Sequence, residues 1–198
     1  MRSPVDRSLK VWTEGCDAIQ SRIAIFEHIR NIPYSLNPLT NNPAKAADQI
    51  LVAGKGSCGP KHYLLAEMYR RIGLEVTFVI VPFLWNDPDL KYPQKLRHLA
   101  EVLPVAHHLA CRVRIRNRDV LVDATWDPPL KHAGFPVNET WDGQSDLECA
   151  VKPLPQLQDL AISGDWRTCG QQDFMLRLRF YREFDDWLWN VRTQFPGQ

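Results

Sequence analysis

The stretch from His108 to Thr125 reads HLACRVRIRNRDVLVDAT, and its pattern decides the fold. Cys111, Val113 and Ile115 alternate with Arg112, Arg114 and Arg116. A period of two marks a strand with one buried face. Val120 to Thr125 continues as a second strand after a tight polar turn, so the pair reads as a hairpin. Suppose the turn lies at Arg116-Asn117, with Ile115 opposite Arg118. Carried along the ladder, that pairing puts Asp123 opposite Ala110. Ala110 shares a face with His108, two residues away. His108 and Asp123 are then diagonal neighbours, about 7–8 Å apart at the backbone and within side-chain reach. A turn one residue later puts Asp123 opposite Arg112, and the contact is lost.

The elements upstream follow from similar patterns. Lys55 to Gly59 is a turn with two glycines, and a helix starts close to Cys58 because Pro60 is tolerated only in a first turn. Leu65, Met68, Tyr69 and Ile72 give that helix an apolar face. Arg70 and Arg71 suit its C-terminal dipole end, and Gly73 suits the position after it. Leu74 to Phe83 is rich in β-branched and aromatic residues and reads as a buried strand. An earlier helix runs from Asp17 to Arg30 and is closed by Pro33. After a loop to Asn42, a short helix capped by Asn42-Pro43 buries Ala46, Ala47, Ile50 and Leu51.

Downstream of the first strand, Gln94 to Leu103 reads as a short helix. Residues 128–158 form a proline-rich flank. Phe174 to Phe195 forms an amphipathic helix through Phe180, Phe184, Trp187, Leu188 and Val191, suited to core packing or to contact with a second copy. The expectation is one α+β domain over residues 1–198, with a core at about 34–126.

Composition narrows the function classes. The 198 residues are 44% hydrophobic and 24% charged, ordinary globular values. Twenty-four Lys+Arg against 23 Asp+Glu leave a net charge of +1, which supplies no electrostatic case for a nucleic-acid or membrane-surface partner. No window approaches a membrane span. Met1 to Trp12 is polar and lacks the apolar run of a signal peptide. Five cysteines at wide spacing, with no C-x-x-C, argue against a disulfide framework or a structural zinc site. A reducing, cytoplasmic setting follows as the expectation, with no metal and no cofactor.

Cys58, His108 and Asp123 read together as chemistry. A helix mouth offers unpaired amides and a positive dipole end, both favouring thiolate over thiol. Gly56 and Gly59 allow close approach of a substrate carbonyl, and the Cys58 amide is placed to donate to an oxyanion. In this reading Cys58 attacks an acyl carbon, His108 moves the proton, and Asp123 orients the imidazole.

These residues carry a family resemblance. Gly56-Ser57-Cys58, then Leu64, Leu65 and Arg71-Ile72-Gly73-Leu74, then His108 and Asp123-Ala124-Thr125, resemble the transglutaminase-like core in order and context. The resemblance spans about Tyr34 to Trp126. It implies a papain-like α+β fold, with the nucleophile at a helix N-terminus packed against an antiparallel sheet carrying His and Asp. It also implies Cys-His-Asp acyl chemistry on an amide- or peptide-containing substrate. Tyr34 is the implied aromatic aid to the oxyanion hole, and Trp126 joins it on the substrate side.

Departures from the family limit the activity. Calcium-dependent crosslinking enzymes carry Trp directly after the nucleophile, where this chain has Gly59. Acidic calcium loops, paired C-x-x-C ligands and an Arg-Gly-Gly-x-Cys signature are absent from the sequence. Hydrolysis through a thioester is slightly favoured. Transfer to an amine and a catalytically idle binding module are the alternatives. Among single residues, His107 is the rival base and Asp127 the rival acid. His62 reads as packing more than site. Cys16, Cys111, Cys149 and Cys169 read as core or incidental.

Overall fold

The computed structural model describes residues 3–36, 42–154 and 171–196, with backbone alone described at 43, 44 and 171–173. The expectations for Cys169, for the loop at 37–41 and for 155–158 lie outside the described residues.

The hairpin adopts the expected register. Strand β2 (Ala106–Ile115) pairs with β3 (Arg118–Val122) through Ile115↔Arg118, Val113↔Val120 and Cys111↔Val122. Arg116 and Asn117 close the turn with φ of 47° and 64°. Two consecutive positive φ angles are what a two-residue turn needs to match the strand twist. Strand β1 (Val76–Phe83) pairs antiparallel with the other side of β2, giving the order β1-β2-β3. β1 is therefore an edge strand and not wholly buried as expected. Phe78 is 38% exposed, against the ring of Tyr63 and beneath Arg70.

The sheet face made by Cys111, Val113, Val120 and Val122 packs in one cluster with helix α4 (Cys58–Arg71). Leu64, Leu65, Met68 and Tyr69 of α4 are fully buried there. Truncating any such leucine to alanine costs about 2–5 kcal/mol. Helix α2 (Ala18–Arg30), capped by Asp17, adds Ile25, Phe26 and Ile29 to the cluster. Helix α3 (Pro43–Ala53) adds Ile50.

Helix α1 (Pro4–Trp12) was not anticipated, because the polar count of this stretch hides its periodicity. Ser3 and Asp6 form a capping box, and Val5 and Leu9 reach the core.

A second cluster is largely aromatic. It gathers Tyr34, Trp85, Trp126 and Phe135 with Phe180 and Phe184 of helix α6 (Gln171–Gln194). Helix α5 (Gln94–Glu101) and a 3-10 helix at Pro128–Ala133 complete it. Among the described residues no helix is long and apolar enough to cross a membrane. Cys58 and Tyr34 touch the aromatic cluster, while the rest of α4 fills the aliphatic one. The mouth of α4 thus lies at the seam between two cores.

Candidate active site

α4 begins at Cys58, after Ser57 in extended conformation. The first amides of a helix lack intrahelical acceptors and point outward. Pro60 occupies the first turn, as expected. Gly56 pairs with Tyr34 in a parallel bridge, and its amide donates to Pro33 O at 3.1 Å. A Cβ at Gly56 would lie 2.7 Å from Ile50 Cδ1. The glycine there serves close packing on α3. Gly59 has open space around it, with only Tyr63 within reach at 3.9 Å.

His108 is buried on β2, on the face it shares with Ala110, and Asp123 follows directly after β3. His108 Nε2 and Asp123 Oδ2 are 2.7 Å apart. His107 points the other way and is exposed. Strand parity separates the two histidines, as anticipated.

Asp123 is saturated with partners. Its Oδ1 accepts from the Thr125 hydroxyl at 2.6 Å and the Thr125 amide at 3.2 Å. Its Oδ2 also accepts from the Ala150 amide at 2.8 Å. Burial pushes the Asp123 carboxyl up, but His108, His62 and the Thr125 hydrogen bond outweigh it and hold it below the usual carboxylate range. Burial alone would lower His108. The Asp123 charge and hydrogen bond, with the Cys58 contact, outweigh that and hold the imidazole well above its ordinary value.

The Cys58 thiol lies beside His108 and the Leu109 amide, and both favour its thiolate. Burial raises it, yet these contacts win and bring it below the ordinary thiol value. With Nε2 committed to Asp123, Nδ1 is the nitrogen left for the thiol. A lowered thiol beside a raised imidazole is the arrangement that supports a thiolate–imidazolium pair.

His62 stands closer to this site than its sequence reading allowed. It is fully buried, with Nδ1 2.9 Å from Cys58 O. The Ala124 amide donates to its Nε2 at 3.2 Å. An N–H donor on Nε2 assigns the proton to Nδ1, which donates to Cys58 O. Burial brings its pKa down to about 4, so it is neutral at pH 7. The one available signal was its place four residues after Cys58, one helical turn on.

Lys61 is also buried and gave no signal beyond its first-turn position. Its Nζ donates to Arg30 O at 3.0 Å, Ile32 O at 2.8 Å and Thr125 O at 2.7 Å. It ties the end of α2 to the chain just past Asp123.

Tyr34 and Trp126 meet with ring centroids 4.4 Å apart, and Trp126 continues onto Phe135 at 4.1 Å. Burial raises the Tyr34 phenol, and the Cys58 charge raises it further, so the two groups sense each other. Asp127 has a different job from the one weighed for it. It accepts from the Tyr34 amide at 2.8 Å and from Arg192 of α6 at 2.7 Å.

Beside the site opens a cavity of about 500 Å³, walled by Phe83, Trp85, Trp126, Phe135, Cys149 and Ala150 among others. Cys111 is buried away from it under the sheet. Cys149 stands out, because its sulfur joins His108 and Asp123 in one cluster.

The family profile of the transglutaminase-like superfamily matches residues 11–114, which include Cys58 and His108 and stop short of Asp123. No curated protein matches the sequence. Among solved structures, the chain is similar to one named a "Putative Cysteine Protease from Cytophaga hutchinsonii", at 16% identity and a TM-score of 0.44. That likeness covers 64% of this chain and 39% of the other, so this chain spans about two fifths of that protein.

Proposed function

We propose that this chain, which belongs to the transglutaminase-like superfamily, is a cysteine-dependent acyl enzyme that cleaves an amide or peptide bond. The observation that carries the reading is one imidazole with two partners. His108 Nε2 stands 2.7 Å from Asp123 Oδ2, and the same imidazole lowers the Cys58 thiol. The unit that does this is taken to be the whole chain, since α6 braces the segment at Tyr34.

Asp123 keeps the Nε2 proton in place and leaves the Nδ1 lone pair for the thiol. Cys58 gives its proton to Nδ1, and the thiolate attacks the acyl carbon. The carbonyl oxygen takes up charge as the C–S bond forms. The outward amides at the mouth of α4, with the Tyr34 hydroxyl, are the candidate donors to it. As the C–N bond breaks, His108 passes its proton to the leaving amine. Water then gives a proton to His108 and its oxygen attacks the thioester. Collapse releases the acid and the Cys58 thiolate. Trp126 is assigned to the substrate side, at the wall shared with the cavity.

The test is alkylation by iodoacetamide across pH, read by peptide mass spectrometry. Cys58 is expected to label fastest, already well below the ordinary thiol pKa of about 8.5. His108→Ala should slow it at least tenfold. Labelling no faster than at Cys16 would overturn the reading in favour of an idle fold. Cys58→Ala should abolish turnover of any amide the chain cleaves. Adding an amine to the reaction separates hydrolysis from transfer, since transfer diverts product to a new amide.

A further inference from the structure

We propose that His108, Asp123 and Cys149 form a binding site for a thiophilic divalent transition metal, of which Zn²⁺ is the type, and that the metal silences the imidazole. One ligand-type atom from each residue lies within 4.8 Å of the other two. His108 and Asp123 are buried, and Cys149 is half-buried. The set supplies one imidazole nitrogen, one carboxylate oxygen and one thiolate sulfur. Three protein ligands of this mixed kind suit Zn²⁺ or Co²⁺ and leave a fourth position open.

Access and adjustment both favour occupancy. Cys149 and Ala150 line the cavity, so a hydrated ion reaches the sulfur from that side. Cys149 lies in a loop outside helix and strand, free of a ladder that would hold the sulfur back. The loop is nonetheless anchored on both sides. Ala150 N donates to Asp123 Oδ2, and Glu148 N donates to Asn138 Oδ1 at 3.1 Å. Metal–ligand bonds of about 2.0–2.3 Å place neighbouring ligand atoms about 3.3–3.7 Å apart in a tetrahedron. The His108–Asp123 pair, now at 2.7 Å, opens by about 0.6 Å to admit the ion.

Occupancy changes the proton inventory. The metal replaces the proton on His108 Nε2 and the proton on the Cys149 thiol, and both leave to solvent. Nδ1 keeps its hydrogen toward Cys58, but on a neutral, metal-bound ring. Such a ring is a poor acid toward a leaving amine. This consequence rests on the acyl-enzyme reading above, whereas binding itself does not.

Cobalt titration of the intact chain tests the site without turnover. Co²⁺ should saturate at one equivalent, with a thiolate-to-cobalt band in the near ultraviolet that Zn²⁺ displaces. Cys149→Ser should lose that band and weaken binding at least tenfold. Cys149→Ala should do the same, which guards against a fault peculiar to one variant. Cys58→Ala should keep both band and affinity. A band that survives in the Cys149 variants, or disappears in Cys58→Ala, would put the metal on the other thiol and overturn the proposal. Absence of saturable binding in the parent chain would overturn it too. None of these outcomes depends on whether the chain cleaves amides.

Discussion

His62 lies behind the proposed nucleophile as a neutral imidazole in a dry place. Its two nitrogens join the carbonyl of Cys58 to the amide of Ala124, so it couples the mouth of α4 to the residue after Asp123. Its folded pKa of about 4 lies below the ordinary 6.5. The unfolded chain therefore binds the extra proton first as pH falls, and stability is lost between about 6.5 and 4. The slope from one such group is at most about 1.4 kcal/mol per pH unit. His62→Gln keeps a donor and an acceptor but removes the titration. Urea midpoints of the variant should fall less than those of the parent between pH 6.5 and 4. An equally steep fall would show that His62 is not the group responsible. The position was visible in the sequence, but its burial was not, since one apolar face does not tell how deep the opposite face sits.

At the scale of elements the hairpin is the informative unit. Alternation set its faces, and two residues set its register. The structure places positive φ at Arg116 and Asn117, a conformation that favours Asn and Gly over Arg. Replacing the pair by Asn-Gly should stabilise the chain by about 0.5–1 kcal/mol, read as a higher urea midpoint. Because the register is kept, Cys58 alkylation should be unchanged. A slip by one residue would carry Asp123 away from His108 and slow alkylation, a result that would contradict the pairing. Patterning reached α2, α4 and β2 well, since each repeats over several turns or pleats. It missed α1, whose signal lies in the Ser3–Asp6 capping box, and it misjudged β1. A strand's place in the sheet order depends on partners far along the chain.

At the scale of the molecule, the last helix supports the first part of the site. Arg192 makes two contacts of 2.7 Å to Asp127 and donates to Tyr34 O at 2.9 Å. Asp185 accepts from the Ser35 hydroxyl and the Leu36 amide at 2.7 Å and 2.8 Å. α6 thereby clamps the Tyr34 segment, which bridges to Gly56 two residues before Cys58. Arg192→Met leaves Asp127 buried without its cation and should cost about 3 kcal/mol in urea unfolding. Adding Asp127→Asn should recover part of that loss, because the orphaned charge is then gone. A loss in the double variant equal to or larger than that in the single one would refute the clamp as an ion pair.

The sequence by itself determined what is local or periodic. Cys58 at a helix mouth follows from Pro60 and the glycines. The pairing of His108 with Asp123 follows from a two-residue turn and strand parity. The family resemblance follows from the order of those pieces. Tertiary structure decided what depends on meeting at a distance. Cys149 reaches His108 and Asp123 across 41 and 26 residues of chain, through a loop pinned by one amide to the same carboxylate. Lys61 finds its three carbonyls in two separate segments. Arg192 closes on Asp127 from 65 residues further along the chain. No spacing rule encodes such contacts, because two cores must first pack against each other before their seam exists.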